Sequence, residues 1–372
     1  MKIIEIRTHR LTGGTVDGGW SRAHQPHDDL HTLLEVVAED GTVGLGSVFT
    51  SSALVDAGIA QLEHLWRGAS ALEPQCVSEL LRQSSFWQGR GGTLEHVISG
   101  IEIALWDLLG KTCGQPIWRL WGGAYRRRIK PYASLLFAEP DLLKERLQAT
   151  TARGFRAIKL GWRPFGRVNN AYDELLVRTA RDTVGPDVEL MVDAGGSEEF
   201  WPHGYKWALG TARMLADYDI TWFEEPLCPD DIEGYRHLTE HAPVHIAGGE
   251  VLTRRQSFLP WLQTRAVDII QPDATKCGGI GEARRIAHLA EDHHVGFVSH
   301  GWNTAVGLAA DMQLAANLPV AHYVEYLTPA PYIDNLLAEP LKLDAEGLLA
   351  IPDGPGLGIE LDREALARFA GG

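Results

Sequence analysis

From about residue 130 onward one unit recurs along the chain. A short run rich in β-branched residues ends on a charged side chain, a loop follows, and then comes an amphipathic helical stretch. The strand candidates are IKPYASLLF, FRAIKLG, VELMVDAG, ITWFEEP, VHIAGGE, VDIIQPDA, VGFVSHG and HYVEYL. The seven segments between them carry the helical period, among them DLLKERLQATTARG and EARRIAHLAEDHH. Eight strands alternating with helices close into a parallel barrel more readily than they spread into an open sheet. The expected fold is α/β, a modified TIM barrel of the (β/α)7β type over residues 129–345.

The residues before it follow a different pattern. MKIIEIRTHRL and HTLLEVVAEDGTVGLGSV alternate like antiparallel strands, joined across the polar stretch GGTVDGGWSRAHQPHDD. Helical segments follow, including LEHVISGIEIALWDLLGKTCG, which stops on a Lys and a Gly as a helix C-terminus should. Residues 1–128 are therefore read as an α+β N-terminal capping domain. The Gly- and Pro-rich tail over 346–372 reads as extended chain returning to that cap.

Charge narrows the function. Lys and Arg total 34 against 49 Asp and Glu, a formal charge of −15, which argues against a nucleic-acid partner. A small acidic substrate stays compatible, because the field inside a cleft can oppose the net charge. No apolar run reaches the roughly 18 residues of a membrane span. MKIIEIRTHR reads as a first strand and not a signal peptide, so a cytoplasmic protein is expected. Cys76, Cys113, Cys228 and Cys277 lie far apart with no CxxC pair, and read as free thiols of a reducing compartment.

The acids at the strand ends carry the chemistry. Asp193 closes VELMVD, Glu224 closes ITWFE and Glu250 closes VHIAGGE, at separations of 31 and 26 residues, each one strand–loop–helix unit. One such acid ordinarily caps a helix or pairs with Arg or Lys. Three in successive units of a closed barrel stand side by side at its C-terminal mouth, where barrel active sites lie. They repel one another unless a cation sits between them. All-oxygen ligation makes a hard site that suits Mg²⁺, with Mn²⁺ second and Zn²⁺ disfavoured for want of His or Cys ligands.

The next two strands supply Asp273, ending VDIIQPD, and His300, ending VGFVSH. A carboxylate on one imidazole nitrogen fixes the tautomer and raises the basicity of the other, as a general base requires. By contrast, His293 and His294 read as solvated helix-end residues. Lys159 lies between Ile158 and Leu160 in a strand buried on both faces, and alternation puts Gly161 on the same side. Glu325 closes the circle from the last strand. A hydrogen next to a carboxylate is too weakly acidic for imidazole alone, but with Mg²⁺ on the carboxylate the enediolate is stabilised and a neutral base suffices.

This set (Lys159, Asp193, Glu224, Glu250, Asp273, His300 and Glu325) resembles the enolase superfamily. With WDLLGKTCGQPIWRLWGG, WFEEP, GGE, QPDATKCGG and SHGWNTAVGLAA, it is similar to the mandelate racemase subgroup, which a His–Asp dyad marks. The similarity runs over essentially the whole chain. It implies that Asp193, Glu224 and Glu250 bind Mg²⁺ and that Asp273 and His300 form the dyad. It further implies that Glu325 hydrogen-bonds the substrate carboxylate or enediolate and that Lys159 helps neutralise it. A homo-oligomer, dimer or octamer, is implied too.

Two departures from the family pattern bear on the reaction. Racemases of the subgroup resemble K-x-K on the second strand, whereas this chain has Lys159-Leu160-Gly161. Some sugar-acid dehydratases place a His two positions after the first metal ligand, and here that position is Gly195. His300 is left as the one obvious base. A racemase normally needs groups on both faces, while a syn β-elimination can use a single His that takes the α-proton and returns it to the departing 3-hydroxyl. The expected activity is a Mg²⁺-dependent dehydratase of acid sugars, aldonates or aldarates, giving a 2-keto-3-deoxy acid. The alternatives are a racemase or epimerase using His24 or Lys159, or a catalytically silent binding barrel. A cycloisomerase is set aside because those relatives resemble a Lys–Lys pair. The cap loop around Trp20, Arg22, His24 and His27 reads as the specificity element, with Arg22, His24, Trp162 and Trp302 as candidate substrate contacts.

Overall fold

A computed structural model describes residues 1–13, 25, 28–195 and 201–371. The chain opens with an antiparallel sheet of β1 (Ile3–Leu11), β2 (His31–Ala38) and β3 (Val43–Val48), in that order. Three helices follow: α1 (Ser52–Trp66) on β1, α2 (Pro74–Ser85), and α3 (Thr93–Cys113) packed on α2, β2 and β3. The last of these stops at Gly114, whose φ of 63° is the left-handed cap expected from the Lys-Thr-Cys-Gly sequence. It lies so close to β3 that a Cβ on Gly46 would stand 2.1 Å from the Gly100 carbonyl oxygen. The glycines of VGLGSV therefore set how deeply the helix seats on the sheet.

The short α4 (Ile117–Leu120) leads into eight parallel strands. These are β4 (Arg128–Leu136), β5 (Ala157–Gly161), β6 (Glu189–Asp193), β7 (Ile220–Glu224), β8 (His245–Gly248), β9 (Ile269–Ile270), β10 (Gly296–Phe297) and β11 (Tyr323–Leu327). Between them run α5 (Pro140–Ala152), α6 (Asn170–Val184), α7 (Tyr205–Ala216), α8 (Ile232–His241), α9 (Arg254–Thr264), α10 (Ile280–Asp292) and α11 (Ala305–Ala316). The hydrogen-bonded order runs from β10 down to β4 and on to β11, and a parallel bridge between Phe297 and Ala321 closes the ring. Directly after β11 comes only the four-residue α12 (Pro331–Asp334) in place of an eighth barrel helix, so the barrel is the (β/α)7β form. Every residue of α11 is buried, and its sequence AVGLAADMQLAA is apolar or small at every position except Asp311 and Gln313. No helix among the described residues is long and apolar enough to cross a membrane.

Inside the barrel, Tyr132, Met191, Trp222 and Val298 fill one layer, with the Tyr132 and Trp222 rings edge-to-face at 5.4 Å. This apolar plug is the floor beneath the mouth. The ladders stop short of the extended runs read from sequence. β8 ends at Gly248, β9 at Ile270 and β10 at Phe297, so Glu250, Asp273 and His300 lie two or three residues beyond them. Pro272 has no N–H to donate, and Gly249 turns the chain at φ +113°. Asp273 and His300 still face each other across an isolated parallel bridge.

Beyond β11, β12 (Leu349–Ala350) pairs antiparallel with β4, and α13 (Arg363–Ala370) packs on β1. There Thr12 donates its N–H to the Phe369 carbonyl at 3.1 Å. Arg363 hydrogen-bonds Glu35 of β2, and His9 Nε2 lies 3.1 Å from the other oxygen of that carboxylate. The His9 hydrogen bond, together with Arg363, outweighs burial and holds the Glu35 carboxyl down to about 2. A folded-state value below the unfolded one contributes stability that is fully present above about pH 4.5 and is lost as pH falls toward 2. Glu35→Gln is therefore expected to lower the melting temperature at pH 7, with a gap to the wild type that narrows in melts taken at pH 3. A gap that stays constant with pH would show that the ion pair does not tie the tail to the cap.

Candidate active site

Register brings the first acids together. In the β5–β6 ladder Gly161 is paired with Asp193, and in the β6–β7 ladder Asp193 is paired with Glu224. One carboxylate oxygen from each of Asp193, Glu224 and Glu250 lies within 4.8 Å of the others. Lys159 Nζ donates to Glu224 Oε1 at 2.5 Å and stands 3.1 Å from Glu325 Oε1 and 3.7 Å from Asp193 Oδ2. Burial opposes its charge, but Glu224 and Glu325 overcome it and keep Lys159 an ammonium. The second oxygen of Glu224 accepts from Trp222 Nε1 at 2.9 Å and Gln271 Nε2 at 2.7 Å. Glu325 Oε2 accepts the Gly301 N–H at 2.7 Å, and Lys159 and His300 hold its carboxyl down to about 2 against the cost of burial.

His300 and Asp273 form a buried pair, with Nδ1 2.8 Å from Asp273 Oδ2. The other oxygen of Asp273 accepts from Thr275 N at 2.7 Å and Thr275 Oγ1 at 2.6 Å, which fixes the carboxylate plane. Burial would raise Asp273, but Lys276 and His300 hold it well below the usual carboxylate range. With Asp273 ionised, Nδ1 is the donor and Nε2 is presented to the cleft, where it lies 3.1 Å from Glu250 Oε2.

The cleft, about 160 Å³, is lined by Lys159, Asp193, Glu250, His300, Trp162 and Trp302, with Phe49 of the cap over it. Trp162 takes a left-handed φ of 68°, and its ring lies 6.4 Å from that of Trp302. A Cβ on Gly195 would stand 3.1 Å from the Trp162 ring and 3.1 Å from Asp193 Oδ1. A side chain at 195 would therefore press on the indole, which would have to give by a few tenths of an ångström. Trp302 Nε1 is buried without a partner among the described residues, which makes it a free donor on the wall. Arg22 and His24, the cap-loop candidates, lie outside the described residues, as do Trp20 and His27. His293 caps the end of α10 and His294 is exposed, away from the cleft.

Sequence reasoning passed over several residues of the mouth. Lys276 lines it three residues after Asp273, returned by a turn in which its N–H meets the Asp273 carbonyl at 3.0 Å. An i to i+3 turn after a strand-end acid was the available signal. Glu225, the second acid of WFEEP, is buried there at φ 45°, and Trp201 and Phe49 complete the lining. Buried His31 bridges cap and barrel, with Nδ1 2.7 Å from Tyr332 Oη and Nε2 2.8 Å from the Trp302 carbonyl, and burial pushes it down to about 4.

Residues 142–365 match the family model described as enolase C-terminal domain-like, and residues 23–122 match the mandelate racemase / muconate lactonizing enzyme N-terminal domain. The chain belongs to the enolase superfamily, in its mandelate racemase subgroup. Among relatives within this superfamily, D-galactarolactone cycloisomerase of Agrobacterium fabrum is 34% identical, covering 99% of this chain and 99% of its own. D-Gluconate dehydratase of Thermoproteus tenax is 29% identical over 91% of this chain and 69% of its own. A crystal structure of a racemase from Streptomyces coelicolor with bound magnesium superposes with a TM-score of 0.86, at 30% identity over 99% of each chain. A cycloisomerase thus stands among the relatives, and the lack of a Lys–Lys pair does not set that reaction aside.

The donor set fits a hard cation. Without one, burial and the charge of Glu224 push Asp193 up to about 8. The acid cluster thus carries an electrostatic cost that a divalent ion among three carboxylates would remove. Mg²⁺ is expected to stabilise chelator-stripped protein by about 2.7 kcal/mol at a hundred times Kd, read as a higher melting temperature. Asp193→Asn is expected to melt higher than the stripped wild type and to lose most of the Mg²⁺ response. A mutant that melts lower and still responds would show the cluster to be structural.

Proposed function

We propose that this protein is a Mg²⁺-dependent acid-sugar lyase that removes the proton α to a carboxylate and expels the β-oxygen, with His300 as base and then acid. The observation that carries this reading is the asymmetry of the cleft. On one side stands the His300–Asp273 dyad; where relatives place a second base stand Gly161, Gly195 and the Trp162 indole. The remaining inward cation on that side, Lys159, is held among Glu224, Glu325 and Asp193. Inversion at the α-carbon needs a proton from the face opposite the base, and an indole has none to give. Elimination on one face needs only His300.

Asp193, Glu224 and Glu250 would hold the Mg²⁺, which supplies charge neutralisation at the substrate carboxylate. Lys159, its ammonium held in place by Glu325 at 3.1 Å, orients that carboxylate. Asp273 fixes Nδ1 as the donor, so neutral His300 carries its lone pair on Nε2, aimed into the cleft, where it can take the α-proton. The resulting imidazolium then meets the departing hydroxyl on the same face and protonates it. The enol product tautomerises to a 2-keto-3-deoxy acid. Trp302 Nε1, unpartnered among the described residues, offers a donor to a sugar hydroxyl.

The 34% identity to a lactone cycloisomerase favours a second reading of the same site. When the β-oxygen belongs to a ring, the same bond cleavage opens the ring, and the product is an isomer with no water released. The two reactions share every residue role and differ only in whether the leaving oxygen is tethered.

Wild type with Mg²⁺, screened against aldonic acids, aldaric acids and their lactones, is expected to yield a 2-keto-3-deoxy acid. His300→Asn should lose about 10²–10⁴-fold in rate. α-Inverted substrate without keto acid would sink the elimination and point to an epimerase.

A further inference from the structure

Two ammonium groups line the cleft, and they differ in what holds them. Lys159 is taken up by Glu224 at 2.5 Å and Glu325 at 3.1 Å. Lys276 is only 6% exposed, yet its nearest carboxylate among the described residues is Asp273 Oδ2 at 3.7 Å, beyond hydrogen-bond length. That oxygen already accepts from His300 Nδ1. The ammonium rests 4.1 Å from the centre of the Phe49 ring, which attracts the charge without replacing conventional acceptors. A desolvated ammonium with unfilled donors costs free energy unless a ligand oxygen meets it. The turn that ties the Lys276 N–H to the Asp273 carbonyl holds the side chain beside the dyad.

Lys276 and His300 share Asp273, so ammonium and base stand on one side of the cleft. The metal-side acids and Lys159 define the carboxylate end. In a same-face elimination the leaving oxygen lies on the base's side, within the reach of Lys276. We propose that Lys276 is a catalytic residue that donates a hydrogen bond to the departing β-oxygen and stabilises its charge as the C–O bond breaks. The electron pair of the α C–H bond becomes the new C=C π bond, and the C–O pair leaves on oxygen. That oxygen takes the proton carried by His300, and Lys276 remains an ammonium throughout.

The inference rests on the elimination proposed above, and its test separates the two. Wild type, Lys276→Met and Lys276→Arg, each with Mg²⁺, would be incubated in D₂O with a sugar acid. Keto-acid product and α-deuterium in recovered substrate would be measured in the same sample, and melting temperatures would confirm folding. Lys276→Met is expected to lose about 10²–10³-fold in product formation, as loss of one oxyanion donor does, while exchange falls by less than about tenfold. Lys276→Arg should recover part of the loss. Equal losses of product and exchange, or no loss, would overturn the role of Lys276 while leaving the elimination standing. A wild type that gives neither product nor exchange with any acid would overturn the elimination, and the role of Lys276 with it.

Discussion

Buried carboxylates repel one another unless cations stand between them, and this constraint orders the mouth of the barrel. Asp193, Glu224, Glu225, Glu250, Asp273 and Glu325 all converge there with little or no solvent contact. Lys159 answers Glu224 and Glu325, and Lys276 with His300 answers Asp273. Asp193 and Glu250 only share those cations, Lys159 at 3.7 Å and His300 Nε2 at 3.1 Å, and burial with the repulsion of neighbouring acids pushes Asp193 and Glu225 up. The uncompensated part of the cluster is the part best suited to a divalent ion. Charge that the fold leaves unbalanced is what it can offer to a metal and a substrate.

Such a mouth also needs its loops held still, and the cap does this through α2, α3 and its sheet. Ser99 Oγ accepts the Gly278 N–H at 2.8 Å, Glu102 Oε1 accepts the Gly281 N–H at 2.9 Å, and Arg82 donates to the Gly278 carbonyl at 2.6 Å. All three bonds fall on the loop just after Asp273 and Lys276. From β3, Ser47 Oγ donates to Asn303 at 2.9 Å, and from β2, His31 meets the Trp302 carbonyl, both just after His300. The cap therefore grips the two loops that carry the dyad. Phe49, at the end of the same sheet, reaches Lys276 itself. Positioning within about 0.5 Å is what proton transfer demands of a scaffold.

Much of this was legible in the sequence because barrels impose a period. One acid per strand–helix unit is visible as spacing, so Asp193, Glu224 and Glu250 could be placed together before any coordinates, and alternation put Lys159 and Gly161 on one face. The cap helix was legible for a similar reason, since its Lys-Thr-Cys-Gly stop is a local signal. Strand ends were not. The runs through Glu250, Asp273 and His300 have strand-like composition, but pairing ends earlier, where Pro272 and Gly249 interrupt the ladder. Lys276, Phe49 and His31 were invisible because their roles depend on packing between segments far apart in the chain, which no periodicity encodes. The Trp162 wall was legible only as a low-specificity aromatic; that it fills the space above Gly195 is a fact of backbone geometry.

That last point bears on how such a site changes reaction. A glycine at 195 reads in isolation as the loss of a base. In the fold it also leaves room for Trp162 to lie across the cleft, since a Cβ there would press on the indole at 3.1 Å. The missing base and the aromatic wall are thus one feature seen from two residues. An indole opposite His300 offers no proton to that side of the cleft. A histidine introduced at 195 would press on Trp162, and the indole would have to give by a few tenths of an ångström to admit it.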